Sequence, residues 1–315
     1  LLIDSPALAA MISSWLDRML PARAYRVRRA ENGRLVWIGA RDRDEVVWTA
    51  EPNTTWPLRA AVWAIGLLPV MREAATALGA SLAADGARTL LVDCDPQSNA
   101  TRSLGFSHDR AHTLYEAIVP EPATDLAAVV LPTRVAGLDL VPASPGLAGA
   151  EVELVSVPGR ERRLRQALAP VRDSYAYVLI DCPPSLGLLS VNALAAANGV
   201  LVPVQCEYLA LEGLGLLMRT LELVRARINP GLQLTGLIMT MFDARTNLAA
   251  QVVAEVSSHF PDLCFESIVP RSVRISEAPS YGETILQYAP TNPGAEAYRC
   301  LAVELRRRCN GESGR

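Results

Sequence analysis

Along residues 74–315, short apolar runs alternate with stretches of helical spacing. The runs are Thr89–Asp93, Leu138–Val141, Tyr177–Asp181, Val200–Pro203, Leu234–Met239 and Phe265–Ile268. Most are apolar at nearly every position rather than at every second one, which is how strands covered on both faces read. Between them, residues 74–84, 159–172, 186–197, 209–228 and 248–260 space apolar side chains three and four apart, as helices packed by one face do. The alternation predicts an α/β fold: a mostly parallel sheet with helices on both faces.

The chain before this has another texture. Ser5-Pro6-Ala7 suits a helix cap and first turn, with Leu8, Ile12, Trp15, Leu16 and Met19 on one face. Residues 34–38 and 45–49 then alternate around a polar turn and predict a hairpin. All five tryptophans (Trp15, Trp37, Trp48, Trp56, Trp63) lie in this part. The change of texture places a boundary near residue 73, giving a small α+β segment over 1–73 and the α/β domain over 74–315. The apolar stretch 60–71 falls short of the roughly 20 residues a membrane span needs, and Arg59 flanks it. No membrane span is predicted.

Composition changes this picture in few places. Half the residues are apolar and 20% are charged, enough for a sizeable core. A net charge of -3 gives no global pull toward nucleic acid, so any such contact needs a local arginine patch. Six scattered cysteines without a CxxC pair support neither a metal site nor a disulfide framework and suit a reducing cytoplasm. The chain opens on Leu1 without a basic-then-apolar leader and reads as a fragment. One count matters more. There is no lysine, and all thirty basic residues are arginine. A coding preference for arginine explains the bias, and whatever its origin it excludes any mechanism that needs lysine.

Two predicted strands end in aspartates followed by loop formers: Asp93-Cys-Asp95-Pro-Gln97-Ser-Asn99-Ala-Thr101, and Asp181-Cys-Pro-Pro184-Ser-Leu-Gly187. Ligand chemistry in open α/β sheets collects beyond the carboxyl ends of strands. An aspartate there can hold Mg²⁺ through water or orient a water attacking a phosphate. Either tract alone reads equally well as a capped strand end; both within one α/β pattern mark a candidate site. By contrast, His108, His112 and His259 lack ligand-like companions. Cys94 and Cys182 read as small apolar fillers, and Arg160, Arg162, Arg163 and Arg165 as one solvated helix face.

Five tracts in order carry a family resemblance: 90–101, 178–187, 203–213, 240–248 and 269–282. With them, residues 74–315 resemble the ParA/Soj/MinD group, specifically the chromosome- and plasmid-partition ATPases. The resemblance implies a P-loop NTPase-like fold using ATP and Mg²⁺. It gives Asp95 the hydrolytic water, Asp93 a supporting place at the same catalytic end, Asp181 the Mg²⁺ site, and the Pro270 loop the adenine pocket. It further implies a homodimer in the cytoplasm, on the nucleoid, with a ParB-like partner. Non-specific DNA would be bound through basic residues such as Arg219, Arg225, Arg245, Arg271 and Arg274.

The family's phosphate loop is glycine-rich and carries two lysines, between the first strand and first helix. Its glycines let backbone N–H groups wrap the phosphates, and its lysines neutralise their charge. Here residues 66–73 read Gly-Leu-Leu-Pro-Val-Met-Arg-Glu, with one glycine, bulky apolar groups and no lysine. The expectation is therefore a fold lacking its first strand and phosphate loop, with ATP hydrolysis lost. Losing a central strand opens two edges, which residues 35–38 or 62–68 would have to fill. Residues 1–72 in turn are similar to the C-terminal tail of phospholipase D-like cardiolipin synthases, in the runs 3–7, 20–27, 33–37 and 67–69. That chemistry needs a histidine two residues before a lysine, which this chain lacks. The junction reads equally as a fusion of gene fragments or an assembly artefact. Two further readings are a non-enzymatic DNA- or ParB-binding protein and a non-functional fusion fragment.

Overall fold

The computed structural model describes residues 26–29, 35–41, 44–48, 72–108, 112–119, 124–183, 187–207 and 210–309. The expected helix over 5–19, the run 62–68, the residues 66–71 and Pro184 lie outside the described residues. The chain divides into two compact units, Leu1–Arg59 and Ala60–Arg315.

In the first unit, β1 (Arg26–Arg29), β2 (Leu35–Arg41) and β3 (Asp44–Trp48) form an antiparallel sheet in the order β1-β2-β3. The predicted hairpin is β2–β3, with Trp37 opposite Trp48 and Ile38 opposite Val47. The sequence reading missed β1. Because β2 is paired on both sides, residues 35–38 belong to this sheet and do not enter the α/β sheet.

The second unit begins its described elements with α1 (Arg72–Ala84), β4 (Thr89–Asp93), α2 (Asn99–Ser103), α3 (Leu114–Ile118), α4 (Leu126–Val129), β5 (Leu131–Pro132) and β6 (Leu138–Val141). It continues with α5 (Leu147–Glu153), α6 (Arg163–Leu168), β7 (Tyr177–Asp181), α7 (Leu188–Ala196), β8 (Gly199–Gln205) and α8 (Ala210–Arg227). Then come β9 (Gln233–Thr240), α9 (Asn247–His259), α10 (Val273–Glu277), α11 (Ile285–Tyr288) and α12 (Pro293–Cys309). Among the described residues the strands form a sheet ordered β5-β6-β4-β7 and a pair β8-β9, parallel except where β5 meets β6.

The sequence dictates β4 closely. Its bounds are those the apolar run predicts, and all five residues are buried. Leu90 and Val92 face a core shared with Leu114, Ile118, Leu147, Leu164 and Leu189, while Leu91 faces the opposite side with Ala80, Ala83 and Leu140. Helices thus cover both faces. Each fully buried leucine contributes about 1.5–3 kcal/mol. Helix α1 ends as its sequence suggests. Gly86 takes the left-handed conformation (φ 80°), and the amides of Gly86 and Ala87 bond back to Ala83 and Leu82. On its other face α1 packs Ala77, Leu78 and Leu82 against Tyr298, Leu301 and Leu305 of α12.

Two expectations need correction. Residues 265–268 are not a strand. The segment meets β9 and the residues after it at isolated points, the bridges of Cys264 with Leu237 and Pro270 with Phe242 and the Val269 amide donating to the Met239 carbonyl at 2.8 Å. The Glu304 carboxylate accepts the amides of Glu266 and Ser267 at 2.9 and 3.1 Å, which takes them out of any ladder. The stretch 159–172 is not one helix either: a 3₁₀ turn over Arg160–Arg162 leads into the short α6, and Pro170 follows.

Candidate functional site

The two aspartate tracts meet as the sequence suggested. Asp93 and Asp181 are register partners at the carboxyl ends of the parallel strands β4 and β7. The ladder continues one residue further, where the Cys94 amide donates to the Asp181 carbonyl at 2.9 Å.

Their surroundings separate the three aspartates. Asp93 is fully buried and its carboxylate accepts three bonds: from the Asp95 amide (3.1 Å), the Thr101 amide (2.8 Å) and the Thr101 hydroxyl (2.6 Å). That hydroxyl also accepts the Ala143 amide at 3.0 Å, so Thr101 joins the ends of β4 and β6. Asp93 is therefore the hub that holds the loop. Asp95 is buried too but faces the turn, accepting the Gln97 amide at 2.9 Å and the Asn99 side-chain amide at 3.4 Å. Ser98, next to it, holds a left-handed backbone (φ 54°), a conformation that costs a non-glycine residue energy and recurs at functional turns. Arg102 braces the same turn, donating to the Gln97 carbonyl at 3.1 Å and to Asn99 Oδ1 at 2.9 Å. The sequence reading missed Asn99, Thr101 and Arg102. The one signal for them was the dense run of hydrogen-bonding side chains after Pro96.

The electrostatics of this corner are lopsided. Burial raises the Asp93 carboxyl to about 6, only partly offset by its Thr101 bonds. Asp181 keeps some exposure on β7, yet the protein packed around it pushes it well above the usual carboxylate range. The neighbouring charges acting on it are Asp93, Asp95 and Glu73, all negative. Burial also raises the thiols, Cys182 to about 12 and Cys94 well above its ordinary value, in keeping with their reading as inert fillers.

A hard cation suits this corner in one respect: an oxygen ligand with partial solvent access and uncompensated negative charge is what Mg²⁺ binds. In another respect it does not. Among the described residues no three histidine, cysteine, aspartate or glutamate side chains converge on a metal position, and no lysine exists to hold a nucleotide's phosphates.

The arginine candidates fall into two groups. Arg225 is half-buried and donates to the Leu232 carbonyl at 2.6 Å, pinning the end of α8. Arg245 grips Asp243 through two bonds of 2.9 and 2.7 Å, holding that carboxyl far below its usual value. Arg274 pairs with Glu277 at 3.1 Å and lies over the Tyr288 ring. Arg219 and Arg271 are exposed, and the charge of Arg271 also acts on Asp243, helping to lower its carboxyl. Pro270 sits where its segment bridges Phe242, at the end of β9. The loop after it returns to the aspartate tract. A Cβ on Gly282 (φ 67°) would lie 2.7 Å from Gly105 Cα, so these two backbones touch just past α2.

Comparison with known proteins fits this architecture. An AAA domain family matches residues 73–234. The chain is 51% identical over 240 residues to the chromosome partitioning protein ParA of Myxococcus xanthus, covering 76% of this chain and 84% of that protein. It is 49% identical to the sporulation initiation inhibitor protein Soj of Bacillus subtilis, covering 72% and 90%. Among solved structures, cobyrinic acid a,c-diamide synthase from Mycobacterium smegmatis with bound ADP and magnesium aligns with a TM-score of 0.67 and 35% identity, covering 77% of this chain and 91% of that one. The Pyrococcus furiosus cell division ATPase MinD shares the fold, with a TM-score of 0.61 at 21% identity over 75% and 93%. With its parallel sheet, its paired aspartate tracts and this identity over most of each relative's length, the chain belongs to the ParA/Soj family of chromosome-partitioning proteins.

Proposed function

We propose that this chain is a partition-type DNA-binding protein that has lost ATP hydrolysis. The observation that carries the reading is the charge balance at the carboxyl ends of β4 and β7. Three aspartates remain, the charges acting on Asp181 are all negative, and the chain contains no lysine. Phosphoryl transfer depends on cationic groups and backbone donors placed where phosphate charge develops. One arginine, Arg72 at the start of α1, cannot supply that ring of donors. ATP and Mg²⁺ are the family's cofactors. In this chain Asp181 would hold the ion and Asp95 the water, both idle without a phosphate cradle. The test is ATP turnover by the purified chain with Mg²⁺ and DNA. The expected rate is that of buffer alone, and turnover abolished by Asp95→Ala would overturn the reading.

DNA contact rests on separate residues. Arg219 and Arg271 carry exposed guanidinium groups, whereas Arg225, Arg245 and Arg274 are held in side-chain hydrogen bonds. Binding would be sequence-independent and steeply salt-dependent, and indifferent to added ATP. Arg219→Ala and Arg271→Ala should weaken retention on duplex DNA at low salt, and Arg245→Ala should not. A ParB-like protein, a second copy of the chain and a place on the nucleoid are the matching partners and location. Among the described residues no helix is long and apolar enough to cross a membrane.

A further inference from the structure

The segment after Pro270 holds an aromatic ring out in solvent on a rigid support. Ile275 of α10 and Ile285 of α11 are buried in the core shared with α1 and α12. Between them a 3₁₀ turn over Ala278–Tyr281 brings Tyr281 to the surface, where it is 64% exposed. Its ring lies on that of Tyr288, with centroids 5.0 Å apart and planes 20° from parallel, a stacked pair. With one face against Tyr288 and most of the residue exposed, the other face of Tyr281 is open. Val273, on the preceding helix, is 73% exposed.

Both rings are held where they stand. The Tyr288 hydroxyl donates to the Glu277 carboxylate at 3.2 Å and accepts from Arg274 at 3.3 Å, and those two partners pair with each other at 3.1 Å. Next to Tyr281, Gly282 is left-handed, donates its amide to the Pro279 carbonyl at 3.1 Å, and lies against Gly105. Thr284 then opens α11 with a capping box closed by Gln287. An exposed tyrosine on so fixed a backbone has little freedom to lose when something packs on it.

We propose that Tyr281 is a stacking platform for an unpaired base, and that single-stranded nucleic acid is what this segment binds. The inference rests on the reading of the chain as a DNA-binding protein and names which form of nucleic acid the segment selects. The chemistry of the group picks the occupant. A duplex offers phosphates and base edges, while its base faces are covered by one another. A flat ring waiting in solvent is satisfied by an uncovered base face, whatever the base, because every base has one. A base on Tyr281 would lengthen the two-ring stack to three. Arg271 is exposed on the same segment and supplies positive charge for the phosphates that flank such a base. The Arg274 charge is offset by Glu277, so Arg274 serves to hold Tyr288 rather than to attract the strand.

The test is fluorescence anisotropy at low salt with three labelled probes: a single strand of about 20 nucleotides, an abasic strand of the same length, and the matching duplex. The intact chain should bind the strand with bases at least about fivefold more tightly than the abasic one, and Tyr281→Ala should abolish that advantage. Tyr281→Phe, which keeps the ring face, should retain it. Tyr281→Leu, which keeps apolar bulk without the ring, should lose it. Duplex affinity should move by less than about twofold in these variants, because no base face is free there. Arg271→Ala should weaken all three probes alike, since it acts on phosphates. Equal affinity for strands with and without bases, or an advantage that survives Tyr281→Ala, would refute the platform and leave phosphate contact standing. A loss on duplex as large as on the single strand refutes it as well. Failure to bind any of the three probes overturns the DNA-binding reading and this inference with it.

Discussion

Replacing Thr101 by valine removes one oxygen and tests the hub of the carboxylate corner. The side chain is fully buried, its hydroxyl donating to Asp93 Oδ2 at 2.6 Å and accepting the Ala143 amide at 3.0 Å. Valine keeps the shape, so no cavity term arises. The lost bond to a carboxylate is worth about 1.5–3 kcal/mol, and an orphaned buried amide costs about 1–3 kcal/mol more. Because the two overlap in one network, about 3–4 kcal/mol is expected together, a large share of a typical domain stability of about 5–15 kcal/mol. The assay is urea unfolding followed by circular dichroism, which reads the helices of this unit, because four of the five tryptophans lie in the first unit. With a slope near 3 kcal/mol/M, the midpoint should fall by about 1 M at unchanged slope. Thr101→Ser keeps both bonds and should cost about 1 kcal/mol for the lost methyl. The reasoning fails if valine costs under about 0.5 kcal/mol or if serine costs as much as valine.

Other outcomes follow from the same geometry. A carboxyl raised from 3.8 to about 6 by burial makes the folded state hold its proton. Its contribution is therefore full below pH 3.8 and lost as pH rises through 6, so stability should drop by about 3 kcal/mol between pH 4 and 7. Asp181 acts in the same direction; urea midpoints across that range check this, and Asp93→Asn should flatten the profile. Gly86→Ala and Gly282→Ala form a contrast, since both positions have positive φ but only the second meets backbone, at 2.7 Å. Thermal unfolding should show about 1 kcal/mol lost at Gly86 and at least about twice that at Gly282. Arg225→Ala should cost stability, about 1 kcal/mol for the bond to Leu232, whereas Arg219→Ala should leave the melting temperature unchanged.

How much of this was legible beforehand depended on the range of the interaction. β4 and β7 have the bounds their apolar runs predict, because strands in a parallel sheet are apolar throughout and need no partner to be recognised. Helices α3 and α4 escaped because four or five residues are too few to show a period. What fixes their starts is local instead, the Thr113 and Asp125 side chains accepting the Tyr115 and Ala127 amides. The 17-residue α12 escaped for another reason: it opens on Pro293-Gly294, which reads as a turn, and its buried face is written in alanine, tyrosine and leucine between arginines. At the site, the three aspartates looked alike in sequence. Only the eight-residue reach from Asp93 to Thr101, and the longer one to Ala143, reveals that the first anchors the loop to the sheet while Asp95 is bonded only within its own turn. The five arginines divided in the same way, by partners as near in sequence as Asp243 and as far as Tyr288.

The lysine count is a different kind of statement, and it is why the functional reading can be firmer than the placement of any one side chain. A residue that is present acts only where the fold puts it, so each aspartate and arginine had to be located before it could be assigned. A residue type that is absent constrains every fold the chain can adopt. The corner at Asp93 and Asp181 turns that absence into an energetic one, because burial and the neighbouring negative charges hold both carboxyls above their ordinary range. A well-folded protein that does not turn over ATP is the outcome this charge balance predicts.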